Sequence, residues 1–429
     1  MNNVLDIFKK ITSISRCSGT YEPFITYVKE FCLKYDYECL VDNYNNILCK
    51  KKDSKAKLCI QNHYDIVCLV DKCIPEIVEE DGFLKALNST LGADNGIGCS
   101  YMLSLMSQAY DCEFLFTSDE EIGLIGANNL ELELQAEFML NIDSEEEGEI
   151  CIGCAGGVDF FAKNNSKSIM QNSEDYDLYE LEISKLPGGH SGVDIHNNIP
   201  NGIKLLAQTI KENNGLLLDI NGGERINSIP VNVKAIIAFK TYPALISNEN
   251  ISISKIDTKS EHLNIWNSDI VDFIYTFANG VRAYDKNLGV VLNSINLAKI
   301  STNIDDIEIQ LSARSMSNEE LNLLKKETVS LLQSFGFEVK TDGKYPAWKP
   351  DVNEFTNNIL DIYKKYDNKA SLEAIHAGLE CAIFKQKFPH MKIASIGPNI
   401  FNPHSNREKV EIKSVENLSK IVKEIVDLF

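Results

Sequence analysis

Five residues with metal-binding side chains are spread over most of the chain: two histidines, His63 and His404, and three acids, Asp94, Glu121 and Asp143. Imidazole nitrogens and carboxylate oxygens are common protein ligands of zinc and related divalent ions. Two imidazoles and three carboxylates can hold a pair of such ions if one carboxylate bridges them. The residue types therefore predict metal-dependent hydrolysis.

Three consecutive acids, Asp119, Glu120 and Glu121, follow the apolar run EFLFT and are the strongest local signal. Carboxylates this close repel one another unless a cation or a proton intervenes. Because neighbouring side chains diverge, one glutamate can bind a metal while the other faces the attacking water as a general base. The alternative is a solvated acidic loop, which is the commoner explanation of such a run considered alone.

The other residues have structural explanations when each is considered alone. His63 and Asp65 lie two apart on an extended segment and point the same way, so Asp65 can orient a metal-binding His63. Asp94 lies in the glycine-lined turn LGADNGIG, where it can instead be the N-cap of the next helix. Asp143 follows an apolar strand. His404 lies in the turn NPHS, where a lone histidine is usually a surface residue.

A second kind of site is predicted at His190, in the run LPGGHSG. Two preceding glycines favour an exposed, rigid presentation of the imidazole. From there His190 could donate a hydrogen bond to a developing oxyanion. A purely structural turn is an equally good interpretation of the spacing.

The predicted ligands must be positioned by strands, because apolar runs come before four of them. These runs are KLCI before His63, EFLFT before Glu121, EFMLNI before Asp143 and KIASIGP ahead of His404. In an open α/β sheet, ligand sites form in the crevice beyond the carboxyl ends of the strands. Strand-like and helical runs alternate over about 45–150, which predicts a parallel sheet.

A different pattern, with alternating polar and apolar residues, begins near residue 158 and predicts a sheet with one solvated face. The expected strands and helices here are at 177–184, 233–240, 304–314, 201–213 and 317–336, and the polar segment 164–177 is predicted to be a boundary loop. The chain is therefore divided into 1–157 and 345–429, which form one catalytic domain, and 158–344, an inserted α+β domain.

Composition narrows the possible partners and compartment. The net charge of -20 argues against nucleic acid and anionic membranes as partners. No apolar run approaches the ~20 residues of a membrane span, and no cleavable signal opens the chain. The 12 cysteines lie in apolar runs and are predicted to be reduced, buried thiols. A cytoplasmic protein is expected.

Several motifs occurring in order resemble those of aminoacyl-histidine dipeptidases, which belong to the wider family of two-zinc aminopeptidases, deacylases and carboxypeptidases. The motifs include HYDIV, TLGADNGIG, TSDEEIGLIGANNL, LPGGHSGVDIH and SIGPNIFNPHSNREKVEI. The resemblance implies an α/β fold: a zinc-peptidase-like catalytic domain with a mixed, mainly parallel central sheet, and an inserted α+β lid domain of the dimerisation type.

The resemblance also implies a ligand set for two Zn²⁺ ions per chain, for which Mn²⁺ or Co²⁺ can substitute. Asp94 would bridge the ions, with His63 and Asp143 completing one site and Glu121 and His404 the other.

Further roles are implied for residues around this centre. Glu120 would be the general base, with Asp65 behind the metal ligand His63. His190 would stabilise the tetrahedral intermediate, in some members from a neighbouring subunit, which leaves a homodimer and a monomer both open. The substrate-binding positions implied are Arg225, Asn227, Tyr345, Trp348, His376 and Glu380.

The implied activity is hydrolysis of small dipeptides by a zinc-activated water. An N-acyl amino acid deacylase or a tripeptidase with the same metal centre is the alternative. A non-catalytic homologue is a third possibility, which the intact ligand set and Glu120 argue against.

Overall fold

The computed structural model describes residues 3–69, 74–171, 175–240, 249–257, 262–286 and 289–429. Contacts separate two units: Met1–Cys154 with Trp348–Ala374 and Leu379–Phe429, and Ala155–Ala347 with Ile375–Gly378. The breaks after residues 154 and 347 lie close to the predicted boundaries at 157/158 and 344/345. The short segment 375–378, which the sequence assigned to the catalytic domain, belongs to the second unit.

The first unit opens with two helices and then alternates strands with helices. Asn3 caps the first helix by accepting a hydrogen bond from the backbone N–H of Leu5. Up to residue 154 its elements are α1 (Val4–Thr12), α2 (Glu22–Tyr35), β1 (Glu38–Val41), β2 (Ile47–Lys50), β3 (Leu58–His63), β4 (Glu76–Glu80), β5 (Phe83–Leu87), α3 (Ala93–Ser107), β6 (Glu113–Thr117), α4 (Ile125–Asn128), β7 (Phe138–Asn141) and β8 (Glu149–Cys154).

The second unit is rich in strands, as its alternating pattern predicts. Ser317 caps α7 by accepting a hydrogen bond from the backbone N–H of Glu320. The elements are β9 (Gly156–Asn164), β10 (Lys167–Gln171), β11 (Asp177–Ile183), α5 (Gly202–Glu212), β12 (Leu216–Gly222), β13 (Val233–Phe239), β14 (Ile251–Ile256), β15 (His262–Trp266), α6 (Ser268–Thr276), β16 (Gly280–Asp285), β17 (Val290–Thr302), β18 (Ile307–Ser315), α7 (Asn318–Ser334) and β19 (Glu338–Tyr345).

The strand β10 corrects the prediction of a loop over 164–177. It pairs antiparallel with β15, a strand far along the chain, and this pairing orders a segment whose own sequence is polar. Residues 172–174 of the predicted loop lie outside the described residues.

The chain then returns to the first unit. Asn353 caps α8 with a reciprocal capping box that includes Thr356. The returning elements are α8 (Glu354–Tyr363), β20 (Ser371–Ile375), α9 (Glu380–Lys387), β21 (Lys392–Ser395), β22 (Ile400–Phe401), β23 (Lys409–Glu411) and α10 (Ile412–Leu428).

The main sheet of the first unit has the strand order β1-β2-β6-β3-β7-β21-β8-β20. The four central strands β6, β3, β7 and β21 run parallel, while β1, β2 and β8 pair antiparallel. The predicted mixed α/β sheet is thus confirmed, with parallel pairing at its centre. The carboxyl ends of the parallel strands share one edge, where a ligand site is expected.

The sheet of the second unit has nine strands within the described residues. Its pairings are antiparallel, and the helices α5, α6 and α7 contribute Leu206, Phe273 and Leu321 to a buried core that also contains Phe160. This is the α+β architecture expected from the alternating pattern.

One disulfide bond corrects the expectation that all cysteines are reduced. Cys17 and Cys68 are joined, with their Cα atoms 5.6 Å apart, and Cys17 pairs with Ile66 in a short parallel bridge. The two cysteines are 51 residues apart, so the sequence alone does not pair them. Within the described ranges, no helix has the length and apolar content that a membrane crossing needs.

Candidate metal centre

Asp94 lies in the first turn of α3, and its two carboxylate oxygens face different histidines. Oδ1 lies 3.1 Å from His63 Nε2, and Oδ2 lies 2.9 Å from His404 Nε2. The N-cap interpretation of Asp94 is wrong. Asp94 and Asn95 have non-helical backbone angles at the start of α3, and the side chain that caps the regular helix is that of Asn95, whose Oδ1 accepts the backbone N–H of Gly98 at 2.9 Å. A carboxylate with one oxygen directed at each of two imidazoles has the arrangement that a bridging ligand requires.

Each histidine also faces a second carboxylate. His63 Nε2 lies 3.2 Å from Asp143 Oδ1, and His404 Nε2 lies 2.9 Å from Glu121 Oε2. Two groups result, one with His63, Asp94 and Asp143 and the other with Asp94, Glu121 and His404, and the potential ligand atoms in each lie within 4.8 Å of one another. The structure therefore brings the five predicted ligands together around Asp94.

The acids of this cluster are buried close to one another. Burial, followed by the charge of Asp94, raises the pKa of Glu121 to about 7, and burial also raises the pKa values of Asp143 and Glu120. Glu121 Oε1 is buried without a hydrogen-bond partner in the described part of the chain. A pair of divalent cations fits this donor set, since it would neutralise the carboxylates and use the orphaned oxygen.

The pKa values of the two histidines are also raised, because the neighbouring carboxylates outweigh the effect of burial. Burial alone would lower the pKa of His404, but hydrogen bonds to Asp94 and Glu121 raise it to about 11. Burial also opposes protonation of His63, and Asp143, Asp65 and Asp94 overcome it and raise its pKa. Without a cation, both imidazoles therefore hold protons that compensate the carboxylates.

Asp65 holds the strand end that carries His63. Its carboxylate accepts hydrogen bonds from Ser18 Oγ at 2.7 Å, from the backbone N–H of Glu120 at 3.0 Å and from that of Glu121 at 3.4 Å. His63 Nδ1 lies 3.1 Å from the backbone oxygen and 3.5 Å from Oδ1 of Asp65. One buried carboxylate thus fixes the histidine ring and the turn bearing both glutamates.

Glu408 holds the turn that carries Asp94, and sequence reasoning gave it no role. Its buried carboxylate accepts the backbone N–H groups of Leu91 and Gly92 at 2.7 and 3.0 Å on one oxygen. The other oxygen accepts those of Ala93 and Asp94 at 2.8 and 3.3 Å. The only sequence signal is its place in the motif NREKVEI.

Arg16, near the start of the chain, contacts the same turn, and sequence reasoning gave it no role either. Its buried guanidinium donates to the backbone oxygen of Tyr64 at 2.9 Å and to that of Gly92 at 2.7 Å. Gly96 makes room for it, because a Cβ there would lie 2.2 Å from Arg16 Nη2. The glycines of this turn therefore serve side-chain packing around the predicted bridge.

Asn95 links the turn to the end of β7. Its side-chain amide donates to Asp143 Oδ1 and, at 2.9 Å, to Asn62 Oδ1, which also accepts the backbone N–H of Ile142 at 3.2 Å. Gly98 is required beside it, since a Cβ would lie 2.1 Å from Asn95 Oδ1.

In the second unit, His190 is held by its own turn. Its ring Nδ1 accepts the backbone N–H groups of Gly192 and Val193 at 3.3 and 3.1 Å, and its backbone N–H donates to Asp194 Oδ2 at 2.8 Å. Because Nδ1 is an acceptor, a neutral ring carries its proton on Nε2. His190 is thus prepared as a hydrogen-bond donor.

Gly192 lies against two side chains and one backbone oxygen of this unit. A Cβ at this position would lie 3.1 Å from both His190 Cε1 and Arg314 Nε, and 2.4 Å from the backbone oxygen of His376. Arg314, which sequence reasoning missed, donates from Nη1 to the hydroxyl of Tyr345 at 2.7 Å, while its buried Nε has no hydrogen-bond partner in the described ranges.

His376 is a neutral member of the same group. Its Nε2 and Ser294 Oγ share a hydrogen bond of 2.7 Å. Burial and then the charge of Arg314 lower the pKa of His376 to about 3. Two of the predicted substrate-binding residues, Tyr345 and His376, therefore lie beside the arginine.

Four further substrate-binding residues were predicted, two in each unit. Arg225 and Asn227 are exposed in a turn whose backbone accepts hydrogen bonds from Ser228 and Ser191. Trp348 and Glu380 belong to the first unit and are buried, and Glu380 accepts hydrogen bonds from Gln61 and Thr117. Their roles in substrate binding stay predictions.

A mixed α/β unit that collects two imidazoles and three carboxylates beyond the ends of its parallel strands defines a metal-dependent hydrolase. Residues 59–428 match the family model "Peptidase family M20/M25/M40". The chain belongs to this family of metal-dependent peptidases and is a hydrolase acting on peptide bonds.

Individual relatives are consistent with this membership. The chain is 32% identical, over 472 aligned residues, to the cytosol non-specific dipeptidase of Escherichia coli strain K12, with 98% of this chain and 97% of that protein covered. The crystal structure of aminoacylhistidine dipeptidase from Vibrio alginolyticus superposes with a TM-score of 0.82 at 28% identity, covering 99% of this chain and 96% of that one. A Staphylococcus aureus Mu50 tripeptidase shares the fold, with a TM-score of 0.62, 17% identity and coverages of 100% and 98%. The predicted family resemblance is confirmed.

Proposed function

We propose that this peptidase is a cytoplasmic dizinc dipeptidase that hydrolyses small dipeptides. The observation that carries the proposal is the position of Asp94 between two histidine–carboxylate pairs, with Glu120 next to them. His63 and Asp143 would hold one ion, Glu121 and His404 the other, and Asp94 both. Imidazole ligands favour Zn²⁺ over Mg²⁺, and Mn²⁺ or Co²⁺ can substitute.

We assign the proton transfer in this reaction to Glu120. When bound, the zinc ions lower the pKa of water and polarise the scissile carbonyl. A carboxylate oxygen of Glu120 lies within 4.8 Å of a ring nitrogen of His63 and of a carboxylate oxygen of Glu121, yet Glu120 is absent from the two groups that surround Asp94. Glu120 therefore takes the proton of the attacking water and returns it to the leaving amine.

The second unit supplies groups suited to the rest of a dipeptide. His190 carries a donor N–H on Nε2, which can stabilise the oxyanion of a tetrahedral intermediate. Arg314 is a guanidinium with an unused buried N–H, a group that binds a terminal carboxylate well. Both roles suit a dipeptide, whose scissile carbonyl is one residue away from the free carboxylate. An N-acyl amino acid shares this spacing, and a tripeptide does not. The partners are accordingly small peptides. A homodimer is part of the proposal only because, in some members of the family, the histidine that matches His190 acts from the neighbouring subunit.

A substrate panel tests the function. With Zn²⁺ present, kcat/KM is measured for carnosine, Gly-His, other dipeptides, a tripeptide and an N-acetyl amino acid. We expect dipeptides to be cleaved at least about tenfold better than the last two, a difference of about 1.4 kcal/mol. Preference for the N-acetyl amino acid would identify a deacylase, and preference for the tripeptide a tripeptidase. No hydrolysis by the zinc-loaded protein would overturn the proposal in favour of a non-catalytic homologue.

Zinc binding is expected to release at least about two protons per chain near neutral pH, because His63 and His404 hold protons in the cation-free site and must lose them to bind a metal, and Glu121, with its pKa raised to about 7, is partly protonated as well. Isothermal titration calorimetry in buffers of different ionisation enthalpy measures this number. The sign also predicts weaker zinc binding as the pH falls, since protons compete for the same nitrogens. Proton uptake, or affinity that rises on acidification, would contradict the assignment.

Replacing His190 by alanine is expected to lower kcat by about 10²- to 10³-fold, because one oxyanion donor is lost. KM should change much less, and the zinc content should remain that of the wild type. Val193→Ala is a matched control, since Val193 is exposed in the same turn and contributes only its backbone N–H. An equal loss in both variants would assign a structural role to His190.

A further inference from the structure

Three cysteines form a cluster in the first unit, away from the strand ends that carry the metal-binding side chains. Cys32 lies in α2, Cys39 in β1 and Cys49 in β2, and their sulfur atoms lie within 4.8 Å of one another. Cys32 and Cys49 are buried, whereas Cys39 is half-buried. Nothing in the proposed dipeptidase reaction uses them.

The backbone determines the convergence of the three thiols. Cys39 and Cys49 are directly opposed in the antiparallel pair of β1 and β2, so their side chains share one face of the sheet. The end of α2 turns back onto this pair, because the backbone oxygen of Cys32 accepts the N–H groups of Asp36 and Tyr37. The cluster is therefore built on regular elements.

Lysine charges lie around the cluster. Lys51 donates from Nζ to the backbone oxygens of Tyr35 and Asp36 at 2.8 and 3.0 Å, which joins the chain just after β2 to the end of α2. A hydrogen bond with Cys39 is the largest of the causes that raise the pKa of Cys32 to about 12, and the charge of Lys51 offsets only part of that shift. Burial raises the pKa of Cys49. Hydrogen bonds from Cys32 and then Cys49 lower the pKa of Cys39 to about 4. A thiolate, the form that binds metals, is thus already favoured at the accessible cysteine.

We propose that Cys32, Cys39 and Cys49 form a three-thiolate site for a soft cation, Cu(I). Three sulfurs at about 2.3 Å from one ion in a trigonal plane lie about 4 Å apart, which the cluster satisfies with little movement. Structural zinc takes four ligands, and the described histidines, cysteines and acids offer no fourth ligand to this group. Soft thiolates without a fourth partner favour Cu(I).

The test is a competition for Cu(I) on the full, zinc-loaded chain under anaerobic conditions, with the Cys17–Cys68 disulfide intact and the three cluster thiols reduced. Cu(I) is supplied as its coloured bicinchoninate complex, and loss of colour reports transfer to the protein. Wild-type protein should remove about one equivalent, and Cys39→Ser should lower the affinity at least about tenfold. Cys112→Ser, at another buried cysteine of the same unit, is the matched control and should behave as wild type.

Copper-edge X-ray absorption on the wild type keeps the proposal testable even if a variant fails to fold. The expected first shell contains sulfur only, at three-coordinate amplitude. A shell with nitrogen or oxygen would place the copper at the histidine–carboxylate centre and overturn the proposal. It would also be overturned by equal copper retention in Cys39→Ser, or by a Cys39–Cys49 disulfide with no copper transfer, which would indicate a redox pair instead.

Discussion

Replacing Glu120 by glutamine is expected to lower kcat by about 10³-fold while the protein still binds two zinc ions. General bases contribute about 10²- to 10⁴-fold, and the amide cannot accept the proton. The substitution keeps the size of the side chain and the backbone N–H that donates to Asp65. Steady-state kinetics on a dipeptide and elemental analysis of the same sample measure both quantities.

The same substitution at the neighbouring Glu121 should have a different effect, and this difference makes the prediction specific. Glu121→Gln changes a carboxylate whose Oε2 faces His404, so it should lose zinc as well as activity. Glu133→Gln, at an exposed acid of the same unit, should change neither. If Glu120→Gln loses zinc to the same extent as Glu121→Gln, Glu120 is a ligand and the proton-transfer role is wrong.

The parts of the site that the sequence could predict are those with local signals. His63 ends β3, Glu120 and Glu121 follow β6, and Asp143 follows β7, so each lies next to an apolar run visible in the sequence. Parallel strands place such positions at one edge, which is why strand ends alone suggested convergence. The inserted α+β unit was predictable for the same reason, because its alternating pattern is local.

The parts that the sequence could not predict depend on contacts between distant segments. Arg16 donates a hydrogen bond to the backbone oxygen of Gly92, and β10 pairs with β15. In both cases the local sequence does not indicate which distant segment is the partner. The Cys17–Cys68 disulfide has the same origin. The family resemblance indicated which carboxylate bridges, but it gave no role to the groups that hold the bridging turn in place.

Glu408→Ala is expected to be the most destabilising of the substitutions considered, with a loss of at least about 3 kcal/mol in the free energy of unfolding. Four backbone N–H groups, those of residues 91–94, would lose their acceptor, and each unsatisfied buried donor costs about 1–3 kcal/mol. The total is reduced where water enters the space left by the carboxylate. Urea denaturation of the zinc-free protein measures the loss directly.

The same substitution should weaken zinc binding, because the turn that Glu408 holds carries Asp94 between the two histidines. Glu408→Gln should be intermediate, since the amide keeps one acceptor oxygen but turns N–H groups towards the other two donors. Glu416→Ala, at an exposed acid of α10, is the control and should change stability and zinc affinity little. Wild-type stability with reduced zinc affinity in Glu408→Ala would show that the carboxylate acts on the metal site without supporting the turn. We expect stability and zinc affinity to fall together, because the buried carboxylate of Glu408 accepts the four backbone N–H groups of residues 91–94 and so fixes the position of Asp94.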